Sequence, residues 1–187
     1  MRVIAGRLKG RRLKAPTWSG LRPTSDKLRE TLFNILAPRI AGARVLDVYA
    51  GTGALGIEAA SRGAAWVGFV ESDRRAQALI ADNLALCGLE NGYAIIRSEA
   101  TRALEHVAEQ PAPEPFDIVL LDPPYATDSR SSLEAILAAA GRVIARTGVV
   151  VLEHARRWAP PDRAGDVVRS RTVVSGDSSL TFYEINR

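Results

Sequence analysis

The chain is 187 residues long, with 47% hydrophobic and 25% charged side chains and a formal net charge of +4. These proportions describe one folded domain with at most a small extension, able to bury about 70% of its unfolded surface without a disulfide or metal staple. They exclude general disorder. The longest aliphatic runs, Ile118–Leu121 and Val149–Leu152, are far too short to span a bilayer, and no apolar stretch follows Arg2, Arg7 and Lys9 as a signal peptide requires. One cysteine, Cys87, and two distant histidines, His106 and His154, speak against a disulfide framework and a Cys/His zinc site. The expectation is a cytoplasmic protein without a metal.

The charge is uneven. Residues 1–44 hold eleven basic and two acidic side chains, whereas residues 45–187 hold fourteen and nineteen. A basic patch of that density points to a polyanion. Its first part, RVIAGRLKGRRLKA, interleaves Val3, Ile4, Leu8 and Leu13 with Arg2, Arg7, Lys9, Arg11, Arg12 and Lys14, and Gly6 and Gly10 supply turns. This predicts a small basic β-hairpin extension over residues 1–20, whose cations, with Arg22, would grip nucleic-acid phosphates. The bland alternative is a solubilising tail.

Residues 21–187 are expected to form the main domain. Thr24 or Ser25 can cap a helix carrying Leu28, Leu32, Ile35 and Leu36, with Pro38 ending it. Strand-like and helix-like patterns then alternate: strand Arg44–Ala50, helix Leu55–Ser61, strand Trp66–Val70, helix Arg74–Cys87, strand Tyr93–Arg97 and helix Thr101–Ala108. After the loop QPAPEP come strand Phe116–Leu121, helix Ser131–Ala145 and strand Gly148–Glu153. Five strands alternating with helices imply an α/β fold with a parallel sheet covered on both faces. Val167–Val174 and Leu180–Ile185, flanking Ser175-Gly176-Asp177-Ser178, add a C-terminal antiparallel hairpin, making seven strands in all.

Gly51-Thr52-Gly53-Ala54-Leu55-Gly56 is a G-x-G-x-x-G turn between a strand and a helix, and Glu71 stands twenty positions past Gly51. That is the pattern of a dinucleotide site, with the acid on the ribose. Asp47 argues otherwise. A pyrophosphate at the following helix would meet this carboxylate as a like charge, whereas S-adenosylmethionine carries a sulfonium and an ammonium that favour it. Even at an effective dielectric near 20, a charge pair at ~4 Å is worth roughly 4 kcal/mol before desolvation. Past the third strand, Glu99, followed by Ala100, either accepts the adenine amino group or is a solvated acid at a helix start.

Asp122-Pro123-Pro124-Tyr125 ends the fourth strand and so faces the same sheet edge. Two prolines remove two donors and fix φ near −65°, leaving carbonyls free to accept. A carboxylate, a held carbonyl and an aromatic ring make a receptor for a flat molecule bearing an amino group, with Tyr125 stacking worth ~1–3 kcal/mol.

VLDVYAGTGALGIEAASRG, FVESD and LLDPPY resemble a Rossmann-like class I S-adenosylmethionine-dependent amino-methyltransferase. With RVIAGRLKGRRL and LRPTSDKLRETLFNIL, the chain resembles the RsmD family. The resemblance implies methylation of the exocyclic N2 of one guanine in 16S ribosomal RNA, within the small ribosomal subunit. It implies Asp47, Gly51 and Gly53 at the methionine end of the donor, with Tyr49 among the donor-binding residues, Glu71 on the ribose, Ser72 beside the adenine, and Asp122, Pro123, Pro124 and Tyr125 on the guanine. Tyr49 stands where relatives often have phenylalanine. A monomer is the default. A DNA adenine-N6 or cytosine-N4 methyltransferase, an NAD-dependent oxidoreductase and a catalytically silent RNA-binding factor are the competing readings.

Overall fold

The computed structural model describes residues 1–18, 24–110, 114–124 and 130–186. In chain order the elements are α1 (Asp26–Ile40), β1 (Arg44–Val48), α2 (Ala54–Ser61), β2 (Trp66–Glu71), α3 (Arg74–Cys87), β3 (Tyr93–Arg97) and α4 (Ala100–Ala108). They continue with β4 (Phe116–Leu121), α5 (Arg130–Gly141), β5 (Ile144–Ala155), β6 (Arg163–Ala164), β7 (Val167–Ser175) and β8 (Ser178–Ile185). Among the described residues no helix is long and apolar enough to cross a membrane.

Every βα unit was legible from periodicity, and the strands join one sheet ordered β3-β2-β1-β4-β5-β8-β7-β6. The first five pair in parallel, and β8 runs antiparallel to β5 and β7. The sheet has eight strands where seven were expected. The extra one is two-residue β6, which folds back on Val167–Val168. So short a strand carries no periodicity to read.

Side-chain alternation sends strand residues to two cores. Val45, Phe69, Ile118, Leu120 and Val151 face α1, α2 and α3, packing with Leu32, Phe33, Ile57, Ile80 and Leu84. Leu46, Val48, Val119, Leu121 and Leu152 face α4 and α5, packing with Leu104, Leu133, Ile136 and Leu137. Order reverses between β1 and β4, since β2 and β3 lie on one side and β5 on the other. In open α/β sheets the crevice beyond the strand ends at such a switch point is where ligands bind.

Several boundaries differ from the sequence reading: β1 stops at Val48 rather than Ala50, β5 runs on to Ala155 and β8 starts at Ser178, and two differences are larger. Helix α1 passes through Pro38 to Ile40. Leu28, Leu32, Leu36 and Ile40 recur every fourth residue and are all buried, so packing of the final turn outweighs the hydrogen bond that Pro38 cannot donate. Strand β5 starts at Ile144 rather than Gly148, while α5 stops at Gly141. The β4–β5 ladder is irregular between Phe116 and Ile118, which absorbs the residues read as helix.

The N-terminal arm is part of the core. Val3, Leu8 and Leu13 are buried in the α1–α2–α3 layer. The arm forms a closed antiparallel loop with a single ladder bridge, Arg2 to Arg12, rather than an extended hairpin. Side chains of the domain satisfy its backbone: the Glu58 carboxylate accepts from the Ile4 and Ala5 N–H groups, and the Ser61 hydroxyl accepts from Leu8 and donates to the Ala5 carbonyl.

Candidate active site

The turn after β1 is held by backbone geometry and one carboxylate. Tyr49, Gly51 and Gly53 have φ of 67°, 55° and 77°, all left-handed. Glycine meets that at no steric cost, whereas Tyr49 carries strain, the kind found where a fold over-determines a functional turn. Gly53 caps α2 without a side-chain bond. The Glu71 carboxylate, at the end of β2, accepts from the Gly51 and Asp73 N–H groups at 2.9 and 2.8 Å and so fixes the turn to the neighbouring strand. Gly56 serves packing: a Cβ there would lie 2.3 Å from the Phe69 ring. The third glycine of the motif thus lets α2 sit against β2.

Asp47 lies under this turn, 1% exposed. Its Oδ2 accepts the Gly56 N–H at 2.9 Å, while Oδ1 is buried without a partner among the described residues. Burial pushes the Asp47 carboxyl up to about 7; the Gly56 N–H opposes this, and the carboxylates of Asp122 and Glu71 add to it. Asp47 pairs with Leu120 across the β1–β4 ladder, so Asp122 lies two residues beyond its partner on the neighbouring strand. The Asp122 carboxyl is raised by burial to about 6, opposed by the Thr24 hydroxyl, which donates to Oδ2 at 3.0 Å. Three carboxylates therefore lie close enough at this sheet edge to raise one another, and among the described residues one buried oxygen of Asp47 has nothing to accept from.

Of the other candidate residues, Tyr49 belongs to the turn after β1, Ser72 follows β2, Glu99 and Ala100 follow β3, and Pro123 and Pro124 follow β4. Burial, and then Glu99, push the Tyr49 phenol up to about 12. Glu99 is the exposed cap residue of α4 and makes no side-chain cap bond, and Ala100 behind it is buried. Ser72 is exposed, its carbonyl held by Gln77. Pro123 is half-buried and Pro124 exposed. Tyr125 and Arg22 lie outside the described residues. Among the described residues no three His, Cys, Asp or Glu side chains assemble as a metal cluster.

The basic side chains of the arm all reach solvent. Lys14 pairs with Asp82, and Arg11 donates to the Leu86 carbonyl. Arg2, Arg7, Lys9 and Arg12 have no carboxylate partner among the described residues. Four buried polar residues that the sequence did not single out position the arm and the crevice. Glu58 and Ser61 clamp the arm, as above. Arg29, fully buried, donates to the Arg2 carbonyl. Asn83, also fully buried, accepts from the Lys14 N–H and donates to the Lys14 and Thr52 carbonyls, joining the arm to the glycine turn. The arm partners of these four lie 27 to 69 positions away, so no local sequence signal marked them. Half-buried Thr24 was read only as a helix cap; the cap is Ser25, and Thr24 instead holds Asp122.

Comparison with known proteins agrees with this geometry. Residues 1–184 match the model of a family described as conserved hypothetical protein 95. YlbH of Bacillus subtilis, named as a candidate rRNA methyltransferase, is 37% identical over 186 residues, 98% of both chains. Ribosomal RNA small subunit methyltransferase D of Escherichia coli K12 is 42% identical over 125 residues, which is 67% of this chain and 60% of that protein. The chain belongs to the RsmD family. The likeness extends to the fold: the solved structure of yhhF from Escherichia coli, described as a candidate methyltransferase, superposes with a TM-score of 0.81 at 31% identity, covering 100% of this chain and 98% of that one. The glycine turn, Asp47 and the Asp-Pro-Pro segment, on which the resemblance rested, thus meet at the switch point of a class I methyltransferase fold.

Proposed function

We propose that this chain is an S-adenosylmethionine-dependent methyltransferase that modifies the exocyclic N2 of a guanine in small-subunit ribosomal RNA. The observation that carries the reading is the buried, partnerless Oδ1 of Asp47 beside a glycine turn, in one crevice with Asp122. An unpaired buried acceptor costs about 1–3 kcal/mol, a cost that a cationic ligand removes. A dinucleotide pyrophosphate would add a like charge there, so the sign of the interaction favours a cationic donor. The names of the relatives support an rRNA substrate, and the guanine-N2 target rests on the family resemblance.

When bound, S-adenosylmethionine supplies a methyl group activated by a sulfonium. Asp47 Oδ1 would accept from its ammonium, beside Tyr49, Gly51 and Gly53. Glu71 uses two of its roughly four lone-pair positions on backbone N–H groups, leaving the others for ribose hydroxyls. Ser72, Glu99 and Ala100 would border the adenine. Thr24 occupies Oδ2 of Asp122, so Oδ1 is the oxygen free to accept from the guanine amine, together with the Pro123 carbonyl. Pro124 would hold the turn, and Tyr125 would stack on the base. Ionised above about pH 6, Asp122 can both orient the amine and take up the proton it releases. The arm cations Arg2, Arg7, Lys9, Arg11, Arg12 and Lys14, with Arg22, would hold RNA phosphates without reading sequence.

The test pairs calorimetry with an active-site variant. Wild type is expected to bind S-adenosylhomocysteine and not NAD, and Asp122→Ala to lose methyl transfer while binding S-adenosylhomocysteine within a few-fold of wild type. Binding of NAD alone, or a wild-type rate in Asp122→Ala, would overturn the reading.

A further inference from the structure

The crevice is acidic, so an RNA strand whose base enters it must have its phosphates held from the flanks. The arm supplies one flank, packed over α1, α2 and α3 and tied through Asn83 to Thr52. A second flank lies beyond β4. There β4 ends at Leu121, opposite Leu152, while β5 continues three residues further to Ala155. At about 3.3 Å per residue this raises a wall of roughly 10 Å next to Asp122. Pairing of Glu153, His154 and Ala155 with Leu180, Ser179 and Ser178 of β8 holds the wall up.

Arg156 and Arg157 form the turn at its crest, both exposed and without an ion pair among the described residues. The crest is fixed from below. The Arg156 N–H donates to the Asp177 carbonyl at 2.8 Å, and the Trp158 N–H donates to the Ala155 carbonyl at 3.0 Å. His154 Nε2 bonds the Thr181 hydroxyl at 2.8 Å, and Thr181 bonds Thr172. Trp158, half-buried, sets its ring edge-on against His154, with centroids 5.4 Å apart. Asp177 lends its backbone carbonyl to Arg156, and its carboxylate pairs with neither arginine. Two unpaired guanidinium groups on a rigid turn beside a partly exposed indole have the composition of a single-strand nucleic-acid contact.

We infer that the β5–β8 crest, through Arg156 and Arg157 with Trp158 beside them, is a second RNA anchor that holds the phosphates on the far side of the target guanine. The inference rests on the rRNA methyltransferase reading and adds to it a contact outside the arm and the crevice. A base turned into the crevice leaves the strand on either side of it outside, and arm and crest then hold different phosphates of that strand.

The test measures binding of unmethylated small ribosomal subunits, and of naked small-subunit rRNA, over a salt series. Arg156→Glu with Arg157→Glu is expected to weaken RNA binding about tenfold or more and to flatten the slope of log affinity against log salt by roughly 1.4 to 1.8, the loss of two phosphate contacts. Arg156→Lys with Arg157→Lys should keep most of the slope, and S-adenosylhomocysteine affinity should be unchanged in both. Should the glutamate pair fail to fold, Arg156→Gln with Arg157→Gln makes the same measurement. Unchanged RNA affinity and slope in the charge-removed protein, alongside weakened binding in Arg7→Glu with Arg12→Glu, would overturn the crest anchor. Wild type that binds the RNA but never methylates it would overturn the underlying reading instead.

Discussion

Asp47→Asn separates what the crevice costs the fold from what it gives the ligand. Burial pushes the Asp47 carboxyl up to about 7 in the fold, from an ordinary value of 3.8. At about 1.4 kcal/mol per tenfold change in proton affinity, keeping it ionised above pH 7 costs the apo-protein up to about 4 kcal/mol. A carboxyl whose folded pKa is raised contributes stability that is fully present below its unfolded pKa and is lost as pH rises through the folded value. Asparagine keeps an oxygen for the Gly56 N–H and removes the charge. The variant is therefore expected to be more stable than wild type at pH 8 by about 2 kcal/mol, a Tm gain of about 4–8 °C for a chain of this size. The gain should shrink from pH 7 towards pH 4 and vanish there, and S-adenosylhomocysteine affinity should fall tenfold or more. Thermal melts across pH 4–8 with calorimetry on the same samples make the check. A variant no more stable than wild type at pH 8, or a gap that ignores pH, refutes the buried-charge reasoning.

Thr24→Val removes the hydroxyl that favours ionised Asp122, so the acidic limb of the pH–rate profile should move to higher pH, with activity recovering most of its wild-type value by about pH 9. A profile of unchanged shape denies the link. Gly56→Ala drives a methyl group into the Phe69 ring and Val67, both in β2, and should cost about 1–3 kcal/mol or more, read as a Tm drop of several degrees. Glu58→Ala strips two arm N–H groups and Arg62 of their buried partner. It should cost about 3–5 kcal/mol and open the arm to protease, while Glu58→Gln costs less. Resistance equal to wild type would mean that the arm is held by its apolar side chains alone.

The βα repeats were readable because parallel strands buried on both faces appear as short apolar runs between helical patterns, as in Phe116–Leu121. Asp47 and Asp122 were readable because charges at the ends of such runs conflict with their surroundings. What stayed hidden is tertiary. Pro38 reads as a stop, and only the packing of Ile40 keeps α1 going. Glu58 and Asn83 look like ordinary helix-surface residues, yet their partners are backbone groups more than fifty positions away for Glu58 and 69 positions away for Lys14 and Asn83. Local pattern carries no record of such pairings. The arm illustrates both sides: its alternating apolar residues suggested order, but only the structure shows them entering the core, leaving the cations on the outside.

Methyl transfer itself tests the central claim most directly. Incubating the protein with tritiated-methyl S-adenosylmethionine and small ribosomal subunits lacking the modification, then digesting the RNA to nucleosides, identifies both substrate and atom. The account predicts label in N2-methylguanosine at a single site, absent with Asp122→Ala. Label in any other nucleoside, or none in RNA while DNA is methylated, would contradict it.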